Sequence, residues 1–170
     1  MYHIKNDKRA LDSALTIYRS IRHLCKKKNL ADVSITDIKE ECGVSRSTFY
    51  RNFDNISDVL EWKLDSFFKE FLEKKSGDSI TYFFTYWNDH SDLIYLLTKQ
   101  NEDIIKTVMK NNLSRKDNVL DEYLLELKVS IMTSLLCKWV YRGKKESIQD
   151  MVSITEKLFS VKYTKLLTEF

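Results

Sequence analysis

The chain has 170 residues, no proline, only three glycines and a formal net charge of +3. That length supports one good core or a small domain packed on a larger one, and so little turn-forming material excludes a fold of many tight turns, leaving an all-helical protein as the expectation. Residues 1–56 hold 11 Lys and Arg against 7 Asp and Glu, whereas residues 57–170 hold 17 against 18, so a basic front on a near-neutral body suits nucleic acid better than a membrane surface.

From Lys8 to Lys28, Leu11, Ala14, Leu15, Tyr18, Ile21, Leu24 and Cys25 recur at three- and four-residue spacing, which predicts one long amphipathic helix. Its basic ends, Lys5, Lys8 and Arg9 before it and Lys26 to Lys28 at its close, either complement the helix dipole or, for the leading group, reach a phosphate or the minor groove. Leu30, Val33, Ile35 and Ile38 then lead into a second helix. Ser34 caps it, Asp37 sits at the positive end of its dipole, and Gly43 stops it. Ser45 caps a third helix on which Phe49 and Phe53, one turn apart, face inward. At about 100° per residue this turns Ser47 and Arg51 outward with Thr48 and Tyr50 flanking them, a face suited to a polyanion or to base edges. Tyr50 has two compatible roles, with its ring packed and its hydroxyl exposed.

The stretch VSITDIKEECGVSRSTFYRNF, followed by ISDVLEW, resembles the DNA-binding domain of the TetR (tetracycline-repressor-like) transcriptional regulators, through the spacing of Gly43, Val44, Ser45, Thr48, Phe49, Tyr50 and Phe53. The resemblance covers roughly the first third of the chain; the rest agrees only in being helical and of suitable length. It implies a three-helix helix-turn-helix domain over residues 1–55, joined by a long helix to a helical ligand-binding and dimerisation domain over 56–170. It also implies a homodimeric repressor of a palindromic operator, with double-stranded DNA and a small-molecule effector of unknown class as partners. Arg46, Ser47, Thr48 and Arg51 are assigned to base or groove contacts, and Ser34, Thr36, Ser45 and Tyr50 to phosphates. One departure stands out: where family members often carry a phosphate-contacting Lys, three residues after the last Phe of the motif, this chain has Ile56. Either a contact is lost or a backbone N–H at the helix start replaces it.

A long helix is expected from about Ile56 to Lys75, capped by Asn55 or Ser57. Two shorter ones should follow, broken near His90 and Ser91. Tyr82, Phe83, Tyr86, Trp87 and Tyr95, with Met109 from the next helix, either line a ligand cavity or fill an ordinary core. Residues 118–142 form a helix apolar around most of its circumference, which implies burial on more than one side, and Ser147 with Asp150 starts a last amphipathic helix from Ile148 to Phe170. These two offer more apolar surface than a body of this size covers easily. A dimer interface is therefore expected at Leu136, Trp139, Val140, Leu158, Phe159, Leu166 and Leu167, a well-filled monomeric bundle being the alternative.

No cofactor or metal is expected. Cys25, Cys42 and Cys137 are odd in number and scattered, Asp89, His90 and Asp92 have no supporting second cluster, and no nucleophile–base pair or phosphate-cradling glycine run suggests an enzyme. The three cysteines are read as small buried or half-buried thiols in a reducing compartment, with redox sensing through Cys42, close to the reading helix, as the alternative. The chain lacks a long apolar run and its first residues lack a signal-peptide core, so a cytoplasmic protein without membrane contact is expected. The rival to a DNA-binding regulator is an interaction protein that keeps the helix-turn-helix scaffold but answers to a protein partner.

Overall fold

The computed structural model describes residues 2–5, 7–74, 77–113 and 118–160. Among these there are nine α-helices and no strand: α1 Lys8–Leu24, α2 Ile35–Cys42, α3 Arg46–Asn52, α4 Ile56–Lys74, α5 Ser79–Asp89, α6 Ser91–Gln100, α7 Asp103–Leu113, α8 Val119–Tyr141 and α9 Ile148–Ser160, with a 3-10 turn at Leu30–Asp32 between α1 and α2. The last helix was expected to run to Phe170; its residues after 160 lie outside the described ones. No helix among the described residues is long and apolar enough to cross a membrane.

The first three helices close on one small core. Ala14, Ile17, Tyr18 and Ile21 from α1 meet Val33, Ile38, Phe49 and Phe53, all buried. The two Phe rings lie 5.9 Å apart, and Phe53 meets Trp62 of α4 edge-on. A segment before α1 completes the unit: Tyr2 pairs with Phe53 in an isolated antiparallel bridge, His3 N–H donates to the Asn52 carbonyl at 2.8 Å, and the Tyr2 hydroxyl donates to Asp65 of α4.

The start of α4 is fixed by a reciprocal cap. Asp58 Oδ2 accepts from the Asp54 and Asn55 N–H groups, and Asp58 N–H donates to Asn55 Oδ1, so Asn55 is the capping residue. Val59, Leu60 and Leu64 bury themselves early in α4, and Phe68 and Phe71 do so later. In the body α4 packs on α7, α6 and α7 pack on α8, and α5 packs on α9. Gly143 and Lys144, both at positive φ, stop α8, and the Lys144 ammonium donates to Ser91 Oγ and to the Asn88 carbonyl at the α5–α6 corner. A Ser147–Asp150 reciprocal cap then starts α9.

Three residues of α8 expected at the interface are instead buried within the chain. Leu136, Trp139 and Val140 are 0, 3 and 5% exposed within a single chain, and Trp139 packs edge-on against Phe84 while its indole N–H donates to the Glu146 carbonyl at 2.9 Å. They have no area left to bury in a partner. The residues with large apolar side chains that α8 exposes are Val119, Leu120, Tyr123, Leu124 and Leu127 in its first half and Tyr141 at its end, and Leu158 and Phe159 of α9 are exposed too. Leu166 and Leu167 lie outside the described residues.

Candidate nucleic-acid interface

The turn between α2 and α3 is built by caps at both ends. At the start of α2, Asp37 N–H donates to Ser34 Oγ, while Ser34 N–H and Oγ both donate to Asp37 Oδ2 at 2.7 and 2.6 Å. The same oxygen receives the Lys28 ammonium at 2.6 Å. Those donors, Lys28 first and Ser34 second, hold the Asp37 carboxyl well below the usual carboxylate range. At its other end α2 stops on Gly43, whose φ of 73° is the left-handed conformation that a side chain would strain. Two residues later Ser45 Oγ accepts the Thr48 N–H at 3.1 Å and lies 2.9 Å from Ser47 Oγ and 3.0 Å from Thr48 Oγ1.

The short α3 is thereby pinned at its first turn, and it is anchored along its inner side by Phe49 and at its end by Phe53. Asn52, buried, donates to the Thr48 carbonyl. Arg46, Ser47, Tyr50 and Arg51 are exposed and Thr48 half-buried. Tyr50 is 55% exposed with its ring edge-on to Phe49 at 5.6 Å, so it combines a packed edge with an accessible hydroxyl. Arg46 is drawn back onto α2, where its Nη2 donates to Thr36 Oγ1 at 2.6 Å. Arg51 takes no such partner among the described residues, which leaves its guanidinium donors available to a guanine edge or a phosphate.

Ser34, Thr36, Ser45, Arg46, Ser47, Thr48, Tyr50 and Arg51 thus come together on the outer side of α2 and α3. They divide by what else they do. Ser34 and Ser45 spend their hydroxyls on caps, and Thr36 accepts from Arg46, so these three position the unit as well as offering polar surface.

Position 56 has a definite surrounding. The N–H groups of Asp54, Asn55 and Asp58 are engaged within the chain and a carboxylate already sits at the α4 start. A phosphate there would have to use the Ile56 or Ser57 N–H and would meet the charge of Asp58.

The residues considered for a ligand cavity separate into two places. Phe83, Tyr86, Trp87 and Met109 are buried and Tyr82 half-buried. Phe71 stacks on Tyr82 at 5.1 Å and meets Phe83 and Tyr86 edge-on, and Trp87 lies 4.6 Å from Phe68. Around these rings the Tyr86 hydroxyl donates to the Phe67 carbonyl, His90 stacks on Phe67 at 3.9 Å, and the Lys63 ammonium lies over the Phe67 ring, 4.0 Å from its centroid. This is interdigitated core packing. Tyr95 is elsewhere, 38% exposed on α6, where it lines a cleft facing the N-terminal domain. Of the groups weighed for a metal, His90 sits in that ring stack and Asp92 pairs with Arg22; no cluster of three metal-ligating side chains occurs among the described residues.

Sequence reading missed the docking of Tyr2 and His3 and the cleft at Tyr95. Each joins residues more than 45 positions apart, so no local pattern signals it.

A short helix pinned by its aromatics after a tight turn, and presenting arginine and hydroxyls outward, is the arrangement found in helix-turn-helix DNA-binding regulators. Residues 17–61 match the family model of the bacterial regulatory proteins of the tetR family. Over most of its length the fold is similar to that of Lin0861 from Listeria innocua (16% identity, 92% of this chain and 94% of that one, TM-score 0.76). It is also similar to a TetR transcriptional regulator from Streptococcus agalactiae (15%, 89 and 96%, 0.63) and to the dihydroxyacetone kinase operon activator DhaS (16%, 88 and 96%, 0.61). No curated protein matches the chain.

Proposed function

We propose that the protein is a homodimeric transcriptional regulator acting in the cytoplasm, which sets α3 of each protomer into successive major grooves of a near-palindromic operator. The observation that carries this reading is the outward face of α3. Ser47 and Arg51 stand exposed opposite Phe49, with Tyr50 and Thr48 beside them. Two such helices related by a two-fold axis would read half-sites roughly 34–36 Å apart. Arg51 addresses a base edge bidentately; Arg46 joins it by exchanging Thr36 for DNA; Ser34, Thr36, Ser45 and Tyr50 serve the backbone.

Dimerisation uses the exposed apolar stripe Leu120, Tyr123, Leu124 and Leu127, which recurs at helical spacing along α8, together with Leu158 and Phe159. An unpartnered stripe of this kind on a small chain favours a second copy. One similar structure is named an operon activator, so the sign of regulation is to be read from transcription in vitro on the recovered operator.

A second reading, a helix-turn-helix scaffold that answers to a protein partner, is favoured by one observation: the Asp58 carboxylate and Ile56 at the α4 start, where a phosphate contact is otherwise expected. Selection of genomic fragments bound by the purified protein at physiological salt separates the two, because non-specific attraction is already weakened there. A short inverted repeat supports the regulator. Recovery of no sequence preference in the presence of cellular small molecules favours the protein partner.

A further inference from the structure

Between the N-terminal domain and the body, α6 makes two polar ties: Asp92 pairs with Arg22 of α1, and Gln100 donates to Ser57 at the start of α4. Between these ties lies a cleft of about 360 Å3. Its apolar walls come from Leu30 on one side and from Leu96 and the Tyr95 ring on the other. Cys25, Lys28 and Lys99 also line it. None of its lining residues is acidic. Lys99 lies over the Tyr95 ring, with its Nζ 4.6 Å from the centroid and no carboxylate partner among the described residues, whereas Lys28 is held by Asp37.

We infer that this cleft is a binding site for an organic monoanion, a carboxylate carried on an apolar body, seated between α6 and the α1–α2 connection. The reasons are size, surface and charge. The volume falls at the lower end of the range of ligand sites, roughly 300–1,000 Å3. The walls reward an apolar body by removing Leu30, Leu96 and one face of Tyr95 from water. Lys99 supplies a positive charge with no carboxylate partner among the described residues, and a carboxylate over it adds a charge-assisted hydrogen bond. A cation would meet the Lys99 ammonium, which has no carboxylate partner among the described residues, and a Lys28 ammonium already paired with Asp37.

The position gives the ligand leverage. A carboxylate within reach of both ammonium groups competes with Asp37 for Lys28, and Asp37 is the carboxylate that caps α2. Occupancy would therefore tie α6 to the α1–α2 connection and loosen one of the restraints on the helix-turn-helix unit. The consequence for DNA rests on the regulator reading above; the binding itself does not.

The test uses the full chain, decanoate as the anionic probe and decanol as its uncharged counterpart. Alkylation of each cysteine by iodoacetamide is followed by mass spectrometry. Cys25 reports the cleft. Cys42, half-buried at the end of α2 and outside the cleft, is the internal reference. At about ten times its Kd, decanoate should slow Cys25 alkylation roughly tenfold and leave Cys42 unchanged. Protection should be lost in Lys99→Met and in Leu96→Trp, which removes the charge and fills the cleft respectively. Unprotected Cys25 at saturating decanoate overturns the site, including the case in which an environment-sensitive dye shows decanoate binding to another surface. Equal protection by decanol overturns the assignment of an anion. DNA affinity is measured separately. Protection of Cys25 in a protein that binds no DNA would sink the regulator reading alone, and DNA binding with an unprotected Cys25 would sink the site alone.

Discussion

Replacing Trp139 with Ala tests where the chain places its apolar helix α8. The side chain is 3% exposed, packs edge-on against the fully buried Phe84 at 5.5 Å and donates its indole N–H to the Glu146 carbonyl. Deleting a buried Trp costs about 3–5 kcal/mol through lost transfer energy and the cavity left behind, and the hydrogen bond adds about 1 kcal/mol. A loss of about 5 kcal/mol is a large part of the roughly 5–15 kcal/mol that holds a domain folded. With a urea dependence of roughly 2 kcal/mol per molar, the unfolding midpoint should fall by roughly 2–3 M. Circular dichroism at one fixed protein concentration measures it, and sedimentation of the still-folded variant should show the parent mass. An unchanged midpoint with a halved mass would refute the reasoning and return Trp139 to the interface.

Leu127→Asp, on the exposed α8 stripe, should do the opposite: sedimentation mass falls to that of one chain while the helical signal persists, and a retained dimer mass would exclude that stripe. His90 supplies a pH signature. Burial lowers its pKa below 6.5, reinforced by Lys63 and opposed by Glu70, Asp89 and Asp92. The neutral ring is therefore favoured in the folded chain, and its contribution is present above 6.5 and is lost as pH falls below that value. Thermal melts on either side of 6.5 should show this loss in the parent and a smaller one in His90→Phe, which keeps the stack on Phe67. Equal loss in both would remove His90 from the account.

The helix-turn-helix unit was legible because its determinants are local. Gly43 at positive φ, the Ser34 and Ser45 caps and the inward pair Phe49 and Phe53 lie within 20 residues and each specifies its own geometry. The break at His90 and the Ser147–Asp150 start of α9 were readable for the same reason. The two sides of α8 were not. Val129, Thr133, Leu136 and Val140 face the core, while Leu120, Tyr123, Leu124 and Leu127 face outward. Both sets are largely apolar, so periodicity marks a helix without saying which side is covered. The rings of α5 pose a similar problem: their number cannot distinguish interdigitation from a cavity, and only the placement of Phe71 among Tyr82, Phe83 and Tyr86 settles it as packing. The cleft at Tyr95 needed Lys28 and Lys99 brought together from distant parts of the chain.

The central claim is that the outer face of α3 reads DNA, and Arg51→Ala meets it most directly. Once an operator has been selected, its affinity for parent and variant is compared at physiological salt, with circular dichroism and sedimentation as controls. Loss of a bidentate base contact from a protomer should weaken specific binding by about 1–3 kcal/mol, roughly 5- to 150-fold, and relax the preference at one position of each half-site while fold and dimer persist. Unchanged operator affinity, or a variant that fails to fold, would contradict the assignment of α3 as the reading helix through Arg51.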